Sequence, residues 1–93
     1  MDLIVSSVEE GEGKYKNMLG RLNVEFKNNI VGVGSGFTDL QRKEIWDNKE
    51  KYIGLIAEVQ YFEISQDSKT KLESLRFPVF KQFRSDKNEP SFE

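Results

Sequence analysis

The cations and the carboxylate near the end of the chain are residue types that phosphate chemistry needs. Arg76, Arg84 and Lys87 lie in the stretch 69–87, with Asp86 between the last two. Guanidinium groups bind phosphate oxygens in pairs, and nucleotidyl transfer depends on positioning and charge neutralisation. In that stretch six basic residues stand against two acidic ones, a local excess of +4 on a chain of net charge −2. The excess indicates a defined anion site, and a solvated strand face explains it equally well.

A second candidate is the glycine-rich stretch GVGSGFTDLQR, residues 32–42. A phosphate loop of the Walker type needs Lys and then Ser or Thr after its last glycine, whereas Phe37 follows Gly36 here. The dinucleotide fingerprint needs Gly-x-Gly-x-x-Gly within a β-α-β unit, and neither spacing nor surroundings fit it. We therefore interpret these glycines as a turn in which the chain reverses without a Cβ clash.

Composition excludes several kinds of site. The 93 residues contain no Cys and no His, which excludes a disulfide framework, a thiol nucleophile, histidine acid–base catalysis and Cys/His zinc sites. Glu9, Glu10 and Glu12 lack further converging ligands, so we interpret them as a solvated turn and assign no metal to the chain. No secretory signal and no apolar run near membrane-spanning length occurs, which predicts a cytoplasmic protein with no membrane partner.

Hydrophobic alternation predicts a mostly β domain with one helix. Leu22, Val24 and Phe26 alternate with polar residues and are expected to face inward. Thr38 and Gln41 have the spacing of a capping box, which predicts a short helix that extends to about residue 48. The predicted strands are 3–8, 21–26, 30–33, 55–64 and 74–84, with a hairpin turn at 27–29.

The order of these elements predicts an all-β fold. Three strands, a short helix and two strands are the order of a five-stranded Greek-key OB-fold barrel, with the helix between strands 3 and 4. We expect one domain over residues 1–87 and a disordered tail over residues 88–93. Pro78 lacks an N–H, so it should lie at a strand edge or bulge.

The aromatic residues admit two interpretations. In OB-folds they often form a stacking platform for single strands, but in a domain this small they more often belong to the core. The core interpretation is favoured here. The residues concerned are Tyr52, Tyr61, Phe62, Phe77, Phe80 and Phe83.

Several blocks in order closely resemble the C-terminal OB-fold domain of ATP-dependent DNA ligases of the viral and bacterial kind. They are EGEGKYKNMLGRL, VGSGFTDLQR, IW, YIGLIAEVQYFE and SLRFPVFKQFRSDK, so the resemblance extends from about Leu3 to Lys87. In that family a nucleotidyltransferase domain precedes the OB domain and carries a lysine, within Lys-x-Asp-Gly, that becomes adenylylated. Neither that motif nor Lys-x-Glu-Gly occurs in this sequence. The resemblance implies a detached ligase domain that is inactive alone, with Met1 as the start of an excised piece.

The resemblance also implies roles in the first ligation step, in which the lysine attacks ATP and pyrophosphate leaves. Arg84 and Lys87 are expected to contact the β- and γ-phosphates, with Asp86 as an orienting carboxylate and Arg76 as a further cation. ATP is expected to bind mainly to the absent domain. Mg²⁺ is expected in the whole enzyme but not on this chain.

The second implied role is to clamp nicked double-stranded DNA through the minor groove, in replication, repair or recombination. Backbone amides of residues 34–37 would assist, since N–H groups near a helix start bind phosphate. Phe37 is equally well interpreted as a groove contact or as a core residue. The expected partners are nicked duplex and the nucleotidyltransferase domain of the same ligase. The chain is expected to be a monomer, and the OB domain is expected to swing between one orientation for ATP and another for DNA. The residues expected to contact DNA are Lys14, Lys16, Ser35, Gly36, Phe37, Thr38 and Arg42.

Other functions remain as alternatives. A free-standing OB-fold module that binds single-stranded nucleic acid would prefer single strands to duplex. The matching domain of an RNA ligase or capping enzyme is disfavoured, because the GSGFTDLQR block resembles the DNA ligases specifically. A protein-interaction domain would leave the basic stretch 69–87 without a ligand.

Overall fold

The computed structural model describes residues 1–86 and 89–91, and it is mostly β with antiparallel sheets, as predicted. Strands account for 46% of the chain, and within the described residues the short helices lie between the third and fourth strands and in the first loop. The elements in order are β1 (Asp2–Glu10), a 3-10 turn (Gly13–Tyr15), β2 (Leu19–Phe26), β3 (Asn29–Val33), α1 (Asp39–Asp47), α2 (Lys49–Tyr52), β4 (Ile56–Gln60), β5 (Glu63–Gln66), β6 (Glu73–Arg76) and β7 (Val79–Phe83).

The strands form two sheets rather than the closed five-stranded barrel predicted. One sheet has the order β3-β2-β1-β4-β7, and β5 pairs with β6 in a separate hairpin. Within the described residues no ladder joins β3 to β7. One backbone hydrogen bond joins the turn after β3 to β7: the Phe80 N–H donates to the Ser35 carbonyl at 2.8 Å. The domain is therefore OB-like with an open sheet.

Each of the last two predicted strands is broken in the middle. The segment 55–64 leaves the main sheet after Gln60 and re-enters a ladder in β5. The segment 74–84 breaks at Phe77, which has φ of +52°, and at Pro78, which has no N–H to donate. The Phe62 N–H donates to the Arg76 carbonyl at 2.9 Å and closes the base of the hairpin. At the second break Leu75, Phe77 and Val79 continue to alternate with polar or non-apolar positions, so the alternation does not reveal it, although Pro78 was expected at a strand edge or bulge.

Strand β1 belongs to both halves of the main sheet. Its first residues pair with β4, with Asp2 opposite Glu58, and its later residues pair with β2. The register shifts between Val5 and Ser7, which marks a bulge. A bulge bends a strand and increases its twist, so β1 can turn from one half of the sheet to the other.

The core lies between the curved sheet and α1. The predicted inward residues Leu22, Val24 and Phe26 are fully buried, which confirms the alternation in β2. Helix α1 contributes Ile45, whereas Leu40 is 84% exposed. The core cluster contains Leu3, Val5, Leu19, Leu22, Val24, Phe26, Val31, Val33, Ile45, Ala57, Val59, Leu75 and Phe80.

The core interpretation of the aromatic residues holds for only part of the set. Phe80 is buried, and Tyr52, Tyr61 and Phe83 are half-buried against the core. For Phe62 and Phe77 the interpretation is wrong, because they are 76% and 71% exposed. These two rings meet edge to face, 6.2 Å apart, at the base of the hairpin, where the chain has left the main sheet.

The hairpin is attached to the main sheet at few points. Leu75 enters the core, and the side-chain amide of Asn29 donates to the Glu73 carbonyl at 3.0 Å. Lys27 pairs with the Glu73 carboxylate at 3.0 Å. The hairpin is therefore a largely separate unit.

Two other expectations concern the ends and the surface of the chain. Ser91, in the expected tail, forms a backbone bridge with Asp2 through hydrogen bonds of 2.7 and 2.8 Å. The disordered tail over residues 88–93 stays a prediction, since residues 88, 92 and 93 lie outside the described part of the chain. Among the described helices, none is long and apolar enough to span a membrane.

The contact between the Gly36 turn and β7 yields a first prediction. Gly36 has φ of +96°, and an added Cβ would collide with the Phe80 carbonyl and amide. Gly54 has nearly the same φ, +95°, but open space around it. We expect Gly54→Ala to lower the free energy of unfolding by about 1 kcal/mol, from backbone strain alone, and Gly36→Ala by about 3 kcal/mol or more. Urea unfolding measures both, and equal losses would contradict the close approach to β7.

Candidate functional site

Arg42 lies at the centre of the predicted DNA-contacting region. Its side chain extends from α1, is only 6% exposed, and donates three hydrogen bonds to backbone carbonyls. Nη1 bonds to Leu19 at 2.9 Å and to Gly20 at 3.1 Å, and Nη2 bonds to Gly34 at 2.8 Å. One guanidinium therefore ties the start of β2 to the turn after β3.

Aromatic rings flank the same guanidinium. The Arg42 Cζ lies 4.2 Å from the Tyr15 ring centre and 5.2 Å from that of Phe37. Cations are attracted to ring faces at such distances. Phe37 in turn stacks on Phe80, with ring centres 4.5 Å apart and planes 12° apart. In the described part of the chain, the buried Nε of Arg42 has no hydrogen-bond partner.

This geometry does not support the prediction that Arg42 contacts DNA. Its donors face protein carbonyls, so it acts as a positioning residue for the two loops it joins. A signal for burial was present in the sequence. Arg42 lies three residues before Ile45, so both fall on one face of α1, and both are buried.

The loops held by Arg42 carry the exposed candidates. Lys14 and Lys16 flank Tyr15 on the 3-10 turn, and both are exposed. Ser35 and Gly36 are exposed on the facing turn, and the Ser35 carbonyl is the one that accepts from β7. The structure thus brings the predicted lysines and the glycine turn to one rim through Arg42.

The start of α1 is closed by its own side chains. The Thr38 N–H donates to Gln41 Oε1 at 2.8 Å, and the Gln41 N–H donates to Thr38 Oγ1 at 3.1 Å. The predicted capping box is confirmed. Thr38 is exposed, but its N–H is already used within the helix. Phe37 is half-buried against the core, which favours the core interpretation of that ring.

An acidic groove of about 480 Å³ adjoins this rim. Glu9 accepts hydrogen bonds from Asn23 at 2.8 Å and from Arg21 at 2.9 Å, and these bonds hold the pKa of Glu9 below its ordinary value of 4.5. Glu10 accepts from the Asn17 N–H at 2.8 Å. The described residues contain no cluster of acidic side chains arranged for a metal ion. The groove is lined by Glu9, Glu10, Gly11, Glu12, Tyr15, Gly20, Arg21 and Gly34.

Arg84 follows β7 and is surrounded by carboxylates. Its Nε and Nη2 donate to the two oxygens of Asp86, each at 3.1 Å. Its Nη1 lies 3.5 Å from Asp2 Oδ2 and 3.5 Å from Glu58 Oε1. Asp86 above all, with Asp2 and Glu58, raises the pKa of Arg84.

The predicted phosphate-binding residues are only partly brought together. Arg84 and Asp86 are in contact, but Arg76 belongs to the other sheet, where it pairs with Glu63 at 3.0 Å. Lys87 lies outside the described residues. Asp2 and Glu58 were not predicted for this cluster, because only the pairing of β1 with β4 makes them neighbours.

Comparison with known proteins gives one family. A sequence profile described as DNA ligase OB-like domain matches residues 10–84. A solved structure named Pmar-Lig_PreS3 is 37% identical to this chain, with a TM-score of 0.78. The match covers 88% of this chain and 20% of that structure's chain. Chlorella virus DNA ligase-adenylate is 27% identical over 94% of this chain and 30% of its own, with a TM-score of 0.74.

A structure of a Lig E DNA ligase is 24% identical over 89% of this chain and 29% of its own, with a TM-score of 0.69, and shows the shared fold alone. The chain thus spans between a fifth and a third of the length of these structures. No curated protein sequence matches it.

The stability of the domain should depend on the forked shape of the Arg42 guanidinium, because that fork bonds three backbone carbonyls. Arg42→Lys keeps the positive charge, but its donors all lie on one nitrogen, whereas the three carbonyls are bonded from two separate nitrogens of Arg42. We expect urea unfolding to show a loss of about 2–4 kcal/mol, because buried carbonyls lose their donors. Arg76→Lys, in the exposed pair with Glu63, is the matched control and should lose less than about 1 kcal/mol. Similar losses in both variants would contradict the central role of Arg42.

The lowered pKa of Glu9 predicts a pH dependence of stability. Its charged form is favoured in the folded state, so the stabilisation is present above the ordinary value of 4.5 and is lost as pH falls through the folded pKa. Glu9→Gln should therefore be less stable than the wild type near neutral pH, and the difference should shrink in acid. Urea unfolding at about pH 6 and about pH 3 measures it. Glu50→Gln, on exposed α2, serves as the control, and a difference independent of pH would contradict the prediction.

Proposed function

Because this chain belongs to the DNA ligase OB-like domain family, we propose that it clamps nicked duplex DNA for the catalytic domain of an ATP-dependent ligase. The observation that carries the proposal is the Arg42 tie, which aligns two exposed loops on one rim. The chain spans only part of its structural relatives and lacks a Lys-x-Asp-Gly motif. The sealing chemistry, together with ATP and Mg²⁺, is therefore proposed for the whole enzyme, with this domain as the clamp.

The rim has the composition of a surface that binds the phosphate backbone. Lys14 and Lys16 supply exposed ammonium groups, and Ser35 and Gly36 are exposed on the facing turn. Such contacts fix position and carry little sequence information, as an enzyme that seals nicks anywhere requires. The glutamates of the adjoining groove repel phosphate and would confine the DNA to the rim.

The second proposed role is to orient the ATP phosphates through Arg84. An arginine fork suits a polyphosphate, and Asp86 holds two of its donors. In the present arrangement three carboxylates occupy the guanidinium, so phosphate would have to displace one of them. Arg76 lies in the separate hairpin sheet, where it pairs with Glu63, so the proposal rests on Arg84 and does not include Arg76.

The two proposed surfaces lie at opposite ends of β1. Asp2, at its start, belongs to the cluster around Arg84, and the 3-10 turn with the lysines follows Glu10 at its end. A strand of this length extends about 25 Å, less where it bends. That separation supports a reorientation of the domain between the ATP step and the DNA step.

A second candidate function rests on the exposed rings of Phe62 and Phe77. Exposed aromatic rings stack on unpaired bases, as in many OB-folds. This alternative is a module for single-stranded nucleic acid, with the hairpin rather than the lysine rim as its binding surface.

Titration of the chain with nicked duplex, intact duplex and single strand distinguishes the two functions. At about 50 mM and about 200 mM salt, the clamp predicts duplex binding that weakens with salt. Lys14→Ala with Lys16→Ala should weaken binding similarly for different sequences and reduce the salt slope by about 1 for each lysine. The control pair is Lys49→Ala with Lys51→Ala, exposed lysines on α2. Equal effects of both pairs would contradict the rim.

A preference for single strands that is lost in Phe62→Ala with Phe77→Ala would establish the alternative instead. Retention of the duplex preference in that double variant would exclude the hairpin from the clamp.

A further inference from the structure

Asp2 and Glu58 are partners of Arg84 that have no part in either proposed role, neither in DNA binding nor in ATP phosphate orientation. We propose that these two carboxylates form a resting site, which holds Arg84 until phosphate oxygens take their place. Asp2 and Glu58 are then positioning residues that set how readily Arg84 is released. The inference rests on the proposed role of Arg84 in orienting the ATP phosphates.

The strand pairing creates the need for a cation at this point. Asp2 and Glu58 are directly opposite each other on antiparallel strands, so their side chains lie on one face of the sheet. Like charges in that arrangement destabilise a sheet. The Asp2 side chain is only 10% exposed, which increases the need for a counter-charge. The Arg84 Nη1, at 3.5 Å from each carboxylate, supplies it.

The surroundings keep this site in place while the arginine side chain moves. The Gln82 side-chain amide donates to Glu58 Oε1 at 2.9 Å and fixes that carboxylate from β7. The Arg84 N–H donates to the Ile56 carbonyl at 2.8 Å, so the backbone at Arg84 is anchored to the sheet. An exchange of partners therefore requires rotation of the Arg84 stem rather than movement of the strand.

The two edges of the guanidinium have different kinds of partner. Asp86 lies two residues along the chain and holds Nε and Nη2, so it can accompany Arg84. Asp2 and Glu58 lie on other strands and hold Nη1, so Arg84 leaves them when it turns outward. Phosphate and the strand carboxylates thus compete for the same edge.

Inorganic tripolyphosphate tests the competition on the chain itself. Glu58→Gln keeps the shape and an oxygen acceptor but removes one competing charge. We expect it to bind tripolyphosphate about two- to fivefold more tightly than the wild type, the range for a partly exposed ion pair. Glu63→Gln removes the carboxylate from the Arg76 pair, is the matched control, and should bind like the wild type. Two-dimensional NMR of backbone amides and arginine Nε–H groups measures affinity and the Arg84 environment together.

The Arg84→Ala variant distinguishes failure of the resting-site proposal from failure of the proposed role of Arg84 in orienting the ATP phosphates. If Arg84→Ala weakens wild-type binding and cancels the gain of Glu58→Gln in the double variant, the resting site is supported. If Arg84→Ala weakens binding but Glu58→Gln gives no gain, or Glu63→Gln gives the same gain, the resting site is overturned and the ATP role stands. If Arg84→Ala leaves binding of both the wild type and Glu58→Gln unchanged, the ATP role fails and the resting site is overturned with it.

Discussion

The structure depends on one buried cation whose partners are backbone carbonyls rather than carboxylates. The Arg42 guanidinium donates to carbonyls of β2 and of the turn after β3, and it lies over the rings of Tyr15 and Phe37. A buried charge is tolerated only where hydrogen bonds replace water, and here three carbonyl dipoles do so. The surface proposed for DNA is thus organised by a cation that is itself buried.

Contacts between aromatic rings extend this organisation through the domain. The Phe37 ring stacks on the Phe80 ring. The ring centre of Phe83 lies 4.9 Å from that of Phe80 and 4.9 Å from that of Tyr52 in α2. The Tyr52 hydroxyl donates to Glu44 of α1 at 3.1 Å. The rings therefore connect the loop rim, β7 and both helices, and explain how a helix with one buried aliphatic residue remains docked.

Local patterns predicted the parts of this fold that local physics determines. The inward face of β2 and the capping box at Thr38 follow from side-chain spacing, and both are confirmed. The cluster around Arg84 depends on contacts between residues far apart in the chain, whereas the break at Phe77 and the burial of Arg42 each had a local signal, in Pro78 and in the spacing to Ile45. Asp2 and Glu58, for example, are neighbours only through the register of β1 against β4. Periodicity indicates which residues of a strand share a face, but it does not say which residue of β1 lies opposite which residue of β4.

The separate hairpin has a consequence for how a domain of this kind can change in size. Its tip is a self-contained turn, in which Asp67 accepts hydrogen bonds from the Lys69 and Thr70 N–H groups. The main sheet depends on the hairpin for little beyond Leu75 and the contacts of Glu73. Lengthening a surface loop costs little entropy, and exposed tips tolerate insertion best. The hairpin tip is thus the place where extra chain can be added while Arg42 and Arg84 keep their partners.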